Sequence, residues 1–179
     1  MTWVALVTGV VFGFMLAEWR VATRHEHALR GNGALEPSGD VYWAIATVYP
    51  AAFALMAIEG AWRATQSTPA AFNGPSWAAS GVLLFTASKA LKYWAVGSLG
   101  DRWTFRVLVM PGRPLVSDGP YRYLAHPNYV AVIGELVGAA MMFEATIAGP
   151  ASIAVFGVAL WARIRFESRV LRKYERTGS

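Results

Sequence analysis

Two polar stretches stand out in a chain that is otherwise apolar, and both carry residues that can do chemistry. The first, DGPYRYLAHPNYVAVIGE, runs from Asp118 to Glu135 and contains a histidine, tyrosines and carboxylates. The second, RIRFESR, places Arg163 and Glu167 four residues apart, on one face of a helix. Imidazole, carboxylate and guanidinium groups move protons and hold charged ligands. These stretches form the candidate site.

The composition indicates a membrane protein. The 179 residues are 55% hydrophobic and 15% charged, whereas soluble domains are roughly 45–50% apolar and about 25% charged. The length suits a single domain, residues 1–179. The net charge of +5 is spread over the ends of apolar runs, which indicates a membrane surface as partner and no nucleic acid.

Metal and disulfide chemistry are not predicted. The chain has no cysteine, which excludes disulfides and thiolate metal sites. His25 and His27 are close in sequence, but no third ligand is near them.

Five apolar runs approach the ~20 residues that a membrane-crossing helix needs. They cover residues 2–19, 41–62, 76–97, 128–143 and 148–164. We therefore predict an all-α integral membrane protein with five transmembrane helices. Lysine and arginine prefer the cytoplasmic side of a membrane. An outside N-terminus and a cytoplasmic C-terminus put every lysine and arginine except Arg63 on that side.

The connection between the third and fourth crossings contains two β-prone segments. TFRVLV and PLVSDG flank Pro111 and Gly112, and this pattern predicts a short β-hairpin at the cytoplasmic surface. Pro114 limits its ladder pairing.

The two polar stretches are predicted to meet at one depth. The fourth and fifth crossings are joined by FEATIAGPA, which allows only an antiparallel hairpin turning near residue 146. His126 and Glu167 each lie about 20 residues from this turn, hence about 30 Å from it. Pro127 favours the first helical turn and keeps His126 out of the α region, at the helix start. This arrangement predicts a site that faces the cytoplasm.

Ionisable residues also occur inside the predicted crossings. Glu135 lies roughly 13 Å inside the fourth crossing, where a charge is costly without a cavity or a partner. It is predicted to line or support the site, or to pair with Arg106 or Arg122. Lys89 and Lys92 are predicted to extend toward the lipid headgroups.

Simpler interpretations of the same residues stay open at this point. The His126 side chain can cap the fourth helix, and Arg163 with Glu167 can form an interfacial ion pair. Tyr121 and Tyr129 lie where aromatic belts form in membrane proteins in general.

The motifs resemble those of a known family. LVSDGPYRYLAHPNYVAV, followed later by RIRFES, is similar to the isoprenylcysteine carboxyl methyltransferase family. That family shows G-P-Y-x-x-x-R-H-P-x-Y and then an Arg/Glu motif at the end of the last core helix. LRGNGALE and SLGDRWTFRVLVMPG resemble a bacterial branch, so the resemblance covers most of the chain. Ala125 replaces the usual arginine, and Ser168 replaces a common second glutamate.

The resemblance implies a multi-pass enzyme of the bacterial cell membrane that uses S-adenosylmethionine to methylate a carboxylate or hydroxyl of a lipophilic acceptor. The cofactor site is expected in residues of about 97–135 and 160–172. The family motifs carry over to the cofactor-binding residues His126, Pro127, Tyr129 and Glu167, with Arg163 beside the acceptor.

The chemistry of the cofactor agrees with these positions. Its sulfonium and ammonium need an anion such as Glu167, and Tyr121 and Gly119 of the GPY motif are included in the predicted cofactor wall. Arg163, Glu167 and Glu135 are the predicted catalytic residues. A carboxylate acceptor needs no base, whereas a hydroxyl acceptor needs one, for which His126, Glu167 or Glu135 is available.

Two other functions fit a small membrane bundle. A sterol-type reductase that uses NADPH has a similar C-terminal region, but such enzymes continue past a Lys-Tyr pair into a Gly and Trp motif. Here ERTGS follows Lys173 and Tyr174, which favours the methyltransferase. A non-enzymatic bundle would bind no cofactor. The sequence leaves the acceptor and the oligomeric state open.

Overall fold

A computed structural model describes residues 1–66, 75–110 and 112–177. Within these ranges the chain forms five α-helices: α1 Thr2–Gly31, α2 Tyr42–Thr65, α3 Pro75–Leu99, α4 Pro127–Met142 and α5 Ala148–Thr177. Single 3-10 turns at Gly100–Arg102 and Gly119–Arg122 lie in the connection between α3 and α4. The predicted helical class and the predicted number of helices are confirmed.

Two helices in the described part of the chain, α1 and α2, are long and apolar enough to cross a membrane. α1 includes the predicted crossing at residues 2–19, and α2 includes that at residues 41–62 except for its first residue. α4 is apolar but has only 16 residues. Crossing of the membrane by each of the five helices stays a prediction.

α1 and α5 continue roughly three turns beyond the apolar runs that predicted them. In the extension of α1, Ala22, Glu26 and Leu29 are buried at helical spacing. In the extension of α5, Val170 packs with Val109 of the α3–α4 connection. Contacts with the connection therefore support both extensions.

α3 and α4 approach each other backbone to backbone. A Cβ atom added to Gly138 would lie 2.8 Å from the Gly81 carbonyl oxygen, and one added to Gly81 would lie 2.8 Å from the Gly138 carbonyl oxygen. Glycine at both positions permits this close packing. The contact holds the lysines of α3 next to Glu135 of α4.

The predicted β-hairpin is wrong. The described residues of the α3–α4 connection form no ladder, and Val109 instead makes an isolated antiparallel bridge with Leu35, with two N–O distances of 2.9 Å. Backbone N–H groups that would donate within a β-ladder donate to carboxylates instead. Glu26 accepts hydrogen bonds from the N–H groups of Phe105 and Arg106, and Asp40 accepts one from the N–H group of Val107. Pro111, in the predicted turn, lies outside the described residues.

The turn between α4 and α5 is fixed by a carboxylate of α2. Glu59 accepts hydrogen bonds from the backbone N–H groups of Ile147 and Ala148, at 3.1 and 2.6 Å. This bonding satisfies donors at the start of α5 that have no partner within the helix. α4 and α5 therefore form the predicted antiparallel hairpin, which brings the start of α4 to the end of α5.

Candidate functional site

Four charged side chains and one tyrosine form a cluster inside the bundle. Glu18 of α1 lies 2.6 Å from both Lys89 and Lys92 of α3. Glu135 of α4 lies 3.0 Å from Lys89 and 3.4 Å from Lys92, and it accepts a hydrogen bond from Tyr49 of α2. The four charges cancel, and none of these charged side chains is more than 8% exposed. We call these five residues the charge cluster.

The charge cluster corrects two predictions. Lys89 and Lys92 are only 6% and 2% exposed, so they do not extend toward headgroups. Glu135 pairs with them and not with Arg106 or Arg122. The cost of removing each charge from water is large, and the opposite charges at close range offset that cost.

The prediction missed Glu18 as a partner of the two lysines, although the sequence contained a signal for it. Glu18 lies inside the apolar run 2–19, and an ionisable residue in such a run indicates a buried partner. Tyr49 carried no comparable signal, because a tyrosine in an apolar helix is common.

A cavity of about 270 Å³ lies at the end of the bundle, beneath the α3–α4 connection. We call it the loop cavity. Tyr129 donates a hydrogen bond to Glu167 at 2.5 Å, which joins the start of α4 to the end of α5. The ring of His126 stacks on Tyr129, with centroids 5.3 Å apart. The wall of the loop cavity contains five of the predicted site residues: Tyr121, His126, Tyr129, Arg163 and Glu167.

His126 is the N-cap residue of α4, but its side chain does not cap the helix. Its backbone has a non-helical φ of −136°, and its side chain makes no capping hydrogen bond. Pro127 occupies the first helical position and is buried. Pro127 therefore positions His126 and does not itself line the loop cavity.

Tyr121 lines the loop cavity from the turn that precedes α4. Burial, and then the nearby negative charge of Glu167, raise the pKa of Tyr121 to about 12. Tyr121 is therefore neutral at physiological pH and can donate a hydrogen bond. Gly119 has a φ of 58°, and a Cβ atom there would lie 3.2 Å from Nε1 of Trp94. Gly119 thus permits the close approach of this turn to α3.

Arg163 is fixed by a ring of contacts that the sequence did not reveal. It forms an ion pair with Asp40 and donates to the Phe105 carbonyl oxygen at 2.7 Å. Asp40 also accepts from the N–H of Val107 at 3.0 Å. Both charged side chains are only 7% exposed. We call these contacts the Asp40 latch, because they close residues 103–107 over the site.

The Asp40 latch corrects the expected partner of Arg163. The ion pair joins α5 to the α1–α2 connection, and it replaces the i, i+4 pair with Glu167. Glu167 is bonded to Tyr129 instead. Asp40 lies in a polar connection, where a single carboxylate gives no sign of a partner far away in the sequence.

A second cavity, of about 240 Å³, lies between the helices. We call it the helix cavity. Most of its wall is apolar, and the charge cluster contributes polar groups to it through Glu18, Tyr49 and Lys92. The apolar wall includes Met15, Ile45, Pro50, Val132, Phe156 and Leu160.

The two cavities meet at one wall. Thr104, Asn128, Tyr129 and Arg163 line both of them, and we call these four residues the shared wall. The Oδ1 atom of Asn128 is buried there without a hydrogen-bond partner. A buried oxygen of this kind usually accepts a hydrogen bond.

Comparison with known proteins identifies the family. The model of the isoprenylcysteine carboxyl methyltransferase (ICMT) family matches residues 81–173. This range contains most of α3, all of α4 and the part of α5 that carries Arg163 and Glu167. The chain belongs to the ICMT family. Methyltransferase activity at a membrane is the activity that this family suggests.

Two bacterial relatives support the assignment to the ICMT family over nearly the whole chain. "Uncharacterized protein YpbQ" of Bacillus subtilis is 30% identical over 158 residues, which is 88% of this chain and 90% of the relative. An "Uncharacterized protein" of Haemophilus influenzae is 25% identical over 152 residues, which is 84% of each chain. No solved structure matches this ICMT-family chain.

Replacement of Asp40 by asparagine is expected to destabilise the fold by about 3–5 kcal/mol, because Arg163 is left buried without an opposite charge. The matched control is Asp101→Asn, which removes an exposed carboxylate 3.6 Å from Arg113 and is expected to cost at most about 1 kcal/mol. Unfolding of the purified variants in detergent measures both. Equal losses of stability in the two variants would contradict the Asp40 latch.

Proposed function

We propose that this protein transfers a methyl group from S-adenosylmethionine to an oxygen atom of a lipophilic acceptor. The shared wall carries the proposal. It separates a cavity lined by several charged and aromatic side chains, at the end of the bundle, from a more apolar cavity between the helices. A water-soluble cofactor and a lipid-soluble acceptor need two such compartments that meet at one place. The methyl group would cross where the compartments meet.

The side chains of the loop cavity fit S-adenosylmethionine. The cofactor, when bound, supplies a methyl group on a positively charged sulfonium. Glu167 offers a carboxylate to the positive groups, and Arg102 offers donors to the cofactor carboxylate. Tyr121 and the stacked rings of His126 and Tyr129 offer aromatic surface to the adenine.

The contribution of the chain to the reaction is positioning and exclusion of water. The Asp40 latch holds residues 103–107 against both cavities. Tyr129 is fixed from two sides, by the His126 ring and by Glu167. Because Tyr129 is held in this way, it can align an acceptor oxygen with the methyl group without a movement of the backbone.

We also propose that all five helices cross the membrane, with the N-terminus outside and the loop cavity facing the cytoplasm. The distribution of basic residues supports this orientation. Arg30, Arg102 and Arg106 belong to the end of the bundle that holds the loop cavity, whereas Arg63 lies at the opposite end, 3.3 Å from Thr146. The cofactor would then enter from the cytosol and the acceptor from the lipid.

Calorimetric titration of S-adenosylmethionine and S-adenosylhomocysteine into the detergent-purified protein tests the cofactor. We expect saturable binding that weakens about tenfold or more in Glu167→Gln, because a hydrogen bond to a charged group contributes roughly 1.5–3 kcal/mol. His126→Ala should weaken binding as well. Glu59→Gln is the matched control, since Glu59 lies at the opposite end of the bundle.

Other results of this titration lead to other functions. Binding of NADPH in place of both ligands would indicate the reductase. A folded wild-type protein that binds none of these ligands would contradict an enzymatic function that uses either cofactor.

Single cysteines test the orientation, because the natural chain has none and labelling has no background. Asn32→Cys lies between α1 and α2, and Ile147→Cys lies between α4 and α5, where the native side chain is 75% exposed. In intact cells, we expect a membrane-impermeant maleimide to label the cysteine at position 147 and to label position 32 only after permeabilisation. Labelling of both positions in intact cells would contradict three crossings between them.

A further inference from the structure

We propose that the methyl acceptor is an uncharged lipophilic compound that presents a hydroxyl group, and not a carboxylate. This inference rests on the proposed function and names the substrate class for the same site. It follows from the charges that line the helix cavity and from the unpaired oxygen of the shared wall.

Each cation that lines the helix cavity in the described part of the chain already has an opposite charge. Lys92 lies 2.6 Å from Glu18 and 3.4 Å from Glu135. Arg163 is paired with Asp40. A carboxylate that entered this cavity would find no cation without a partner, and it would have to compete with a buried glutamate or aspartate. Burial of such a charge without a partner is strongly unfavourable.

The charge cluster has no net charge to offer an ion. Its two lysines and two glutamates alternate, and each carboxylate contacts both ammonium groups. A neutral molecule leaves this arrangement intact, whereas an ion of either sign would upset it. The largely apolar remainder of the wall suits a hydrocarbon tail.

The shared wall also favours a ligand that donates a hydrogen bond. Asn128 lines both cavities, and its Oδ1 atom is buried beside them without a donor. An amide oxygen can only accept a hydrogen bond, and an ionised carboxylate has no hydrogen to give. A hydroxyl group supplies the missing donor. Charge and hydrogen bonding thus lead to the same class of acceptor by separate routes.

The chemical step with a hydroxyl acceptor is balanced by groups of the shared wall. A bond forms between the acceptor oxygen and the methyl carbon, and the bond from that carbon to sulfur breaks with its electron pair left on sulfur. The hydroxyl proton must leave. Tyr129 donates to Glu167 at 2.5 Å, so Tyr129 can take this proton as its own passes to Glu167. Glu167 lines the loop cavity, from which the proton reaches the solvent.

Binding of two matched probes tests the inference without any cofactor. 4-Nonylphenol and 4-nonylbenzoic acid share a ring and a tail, and at pH 8 the phenol is neutral whereas the acid is ionised. The thermal unfolding midpoint of the protein in lipid nanodiscs, followed by tryptophan fluorescence against probe concentration, reports binding to the folded state. We expect the phenol to bind at least about tenfold more tightly. Equal or tighter binding of the acid would overturn the inference.

A charge change in the helix cavity should change this preference. Glu18→Gln leaves the charge cluster with an excess positive charge, so the acid should gain about tenfold in affinity. Glu59→Gln makes the same chemical change at the opposite end of the bundle and should keep the wild-type preference. The same preference in both folded variants would count against the inference. The wild-type comparison of probes stands even where Glu18→Gln does not fold.

The product provides a separate chemical readout. With tritium in the transferable methyl group and both probes present, we expect label in an ether that is stable to alkali. Label released by alkali as methanol would identify an ester and overturn the inference, while the proposed methyltransferase function would stand. Absence of S-adenosylmethionine binding would defeat the proposed function instead, so the two failures are distinguishable.

Discussion

The charge cluster is the interaction on which the rest of the molecule depends. It joins α1, α2, α3 and α4 through Glu18, Tyr49, Lys89, Lys92 and Glu135. Loss of one charged partner would leave a buried charge unpaired, at a cost of about 3–5 kcal/mol, whereas well-packed apolar residues could replace the whole set with little loss. Stability alone therefore does not account for it. Its contact with the helix cavity fits the second role that we propose for it, in recognition of the acceptor.

α4 transmits the position of the charge cluster to the site. Glu135 fixes α4 inside the bundle, and Asn128 and Tyr129 lie about two turns away in the first turn of the same helix. Tyr129 then reaches Glu167 of α5. α5 is held a second time by the Asp40 latch, which also closes residues 103–107 over the cavities. The shared wall is thus supported by five helices and two connections.

The sequence predicted what depends on local rules, and it missed what depends on distant partners. The apolar runs gave the five helices, and the short α4–α5 turn brought His126 and Glu167 into one wall. Extension of Lys89 and Lys92 toward headgroups is a local expectation, whereas one of their two partners, Glu18, lies 71 and 74 residues away. The β-hairpin prediction was wrong because of distant partners as well: carboxylates from other elements accept hydrogen bonds from its N–H groups.

An experimental structure of the protein with S-adenosylhomocysteine tests the central claim most directly, which is that two cavities meet at the shared wall. The account predicts the ligand in the loop cavity, with its adenine against Tyr121, His126 or Tyr129 and its sulfur toward the shared wall. The helix cavity should stay open to a lipophilic molecule. A ligand bound in the helix cavity, or one whose sulfur lies away from Asn128 and Tyr129, would contradict it.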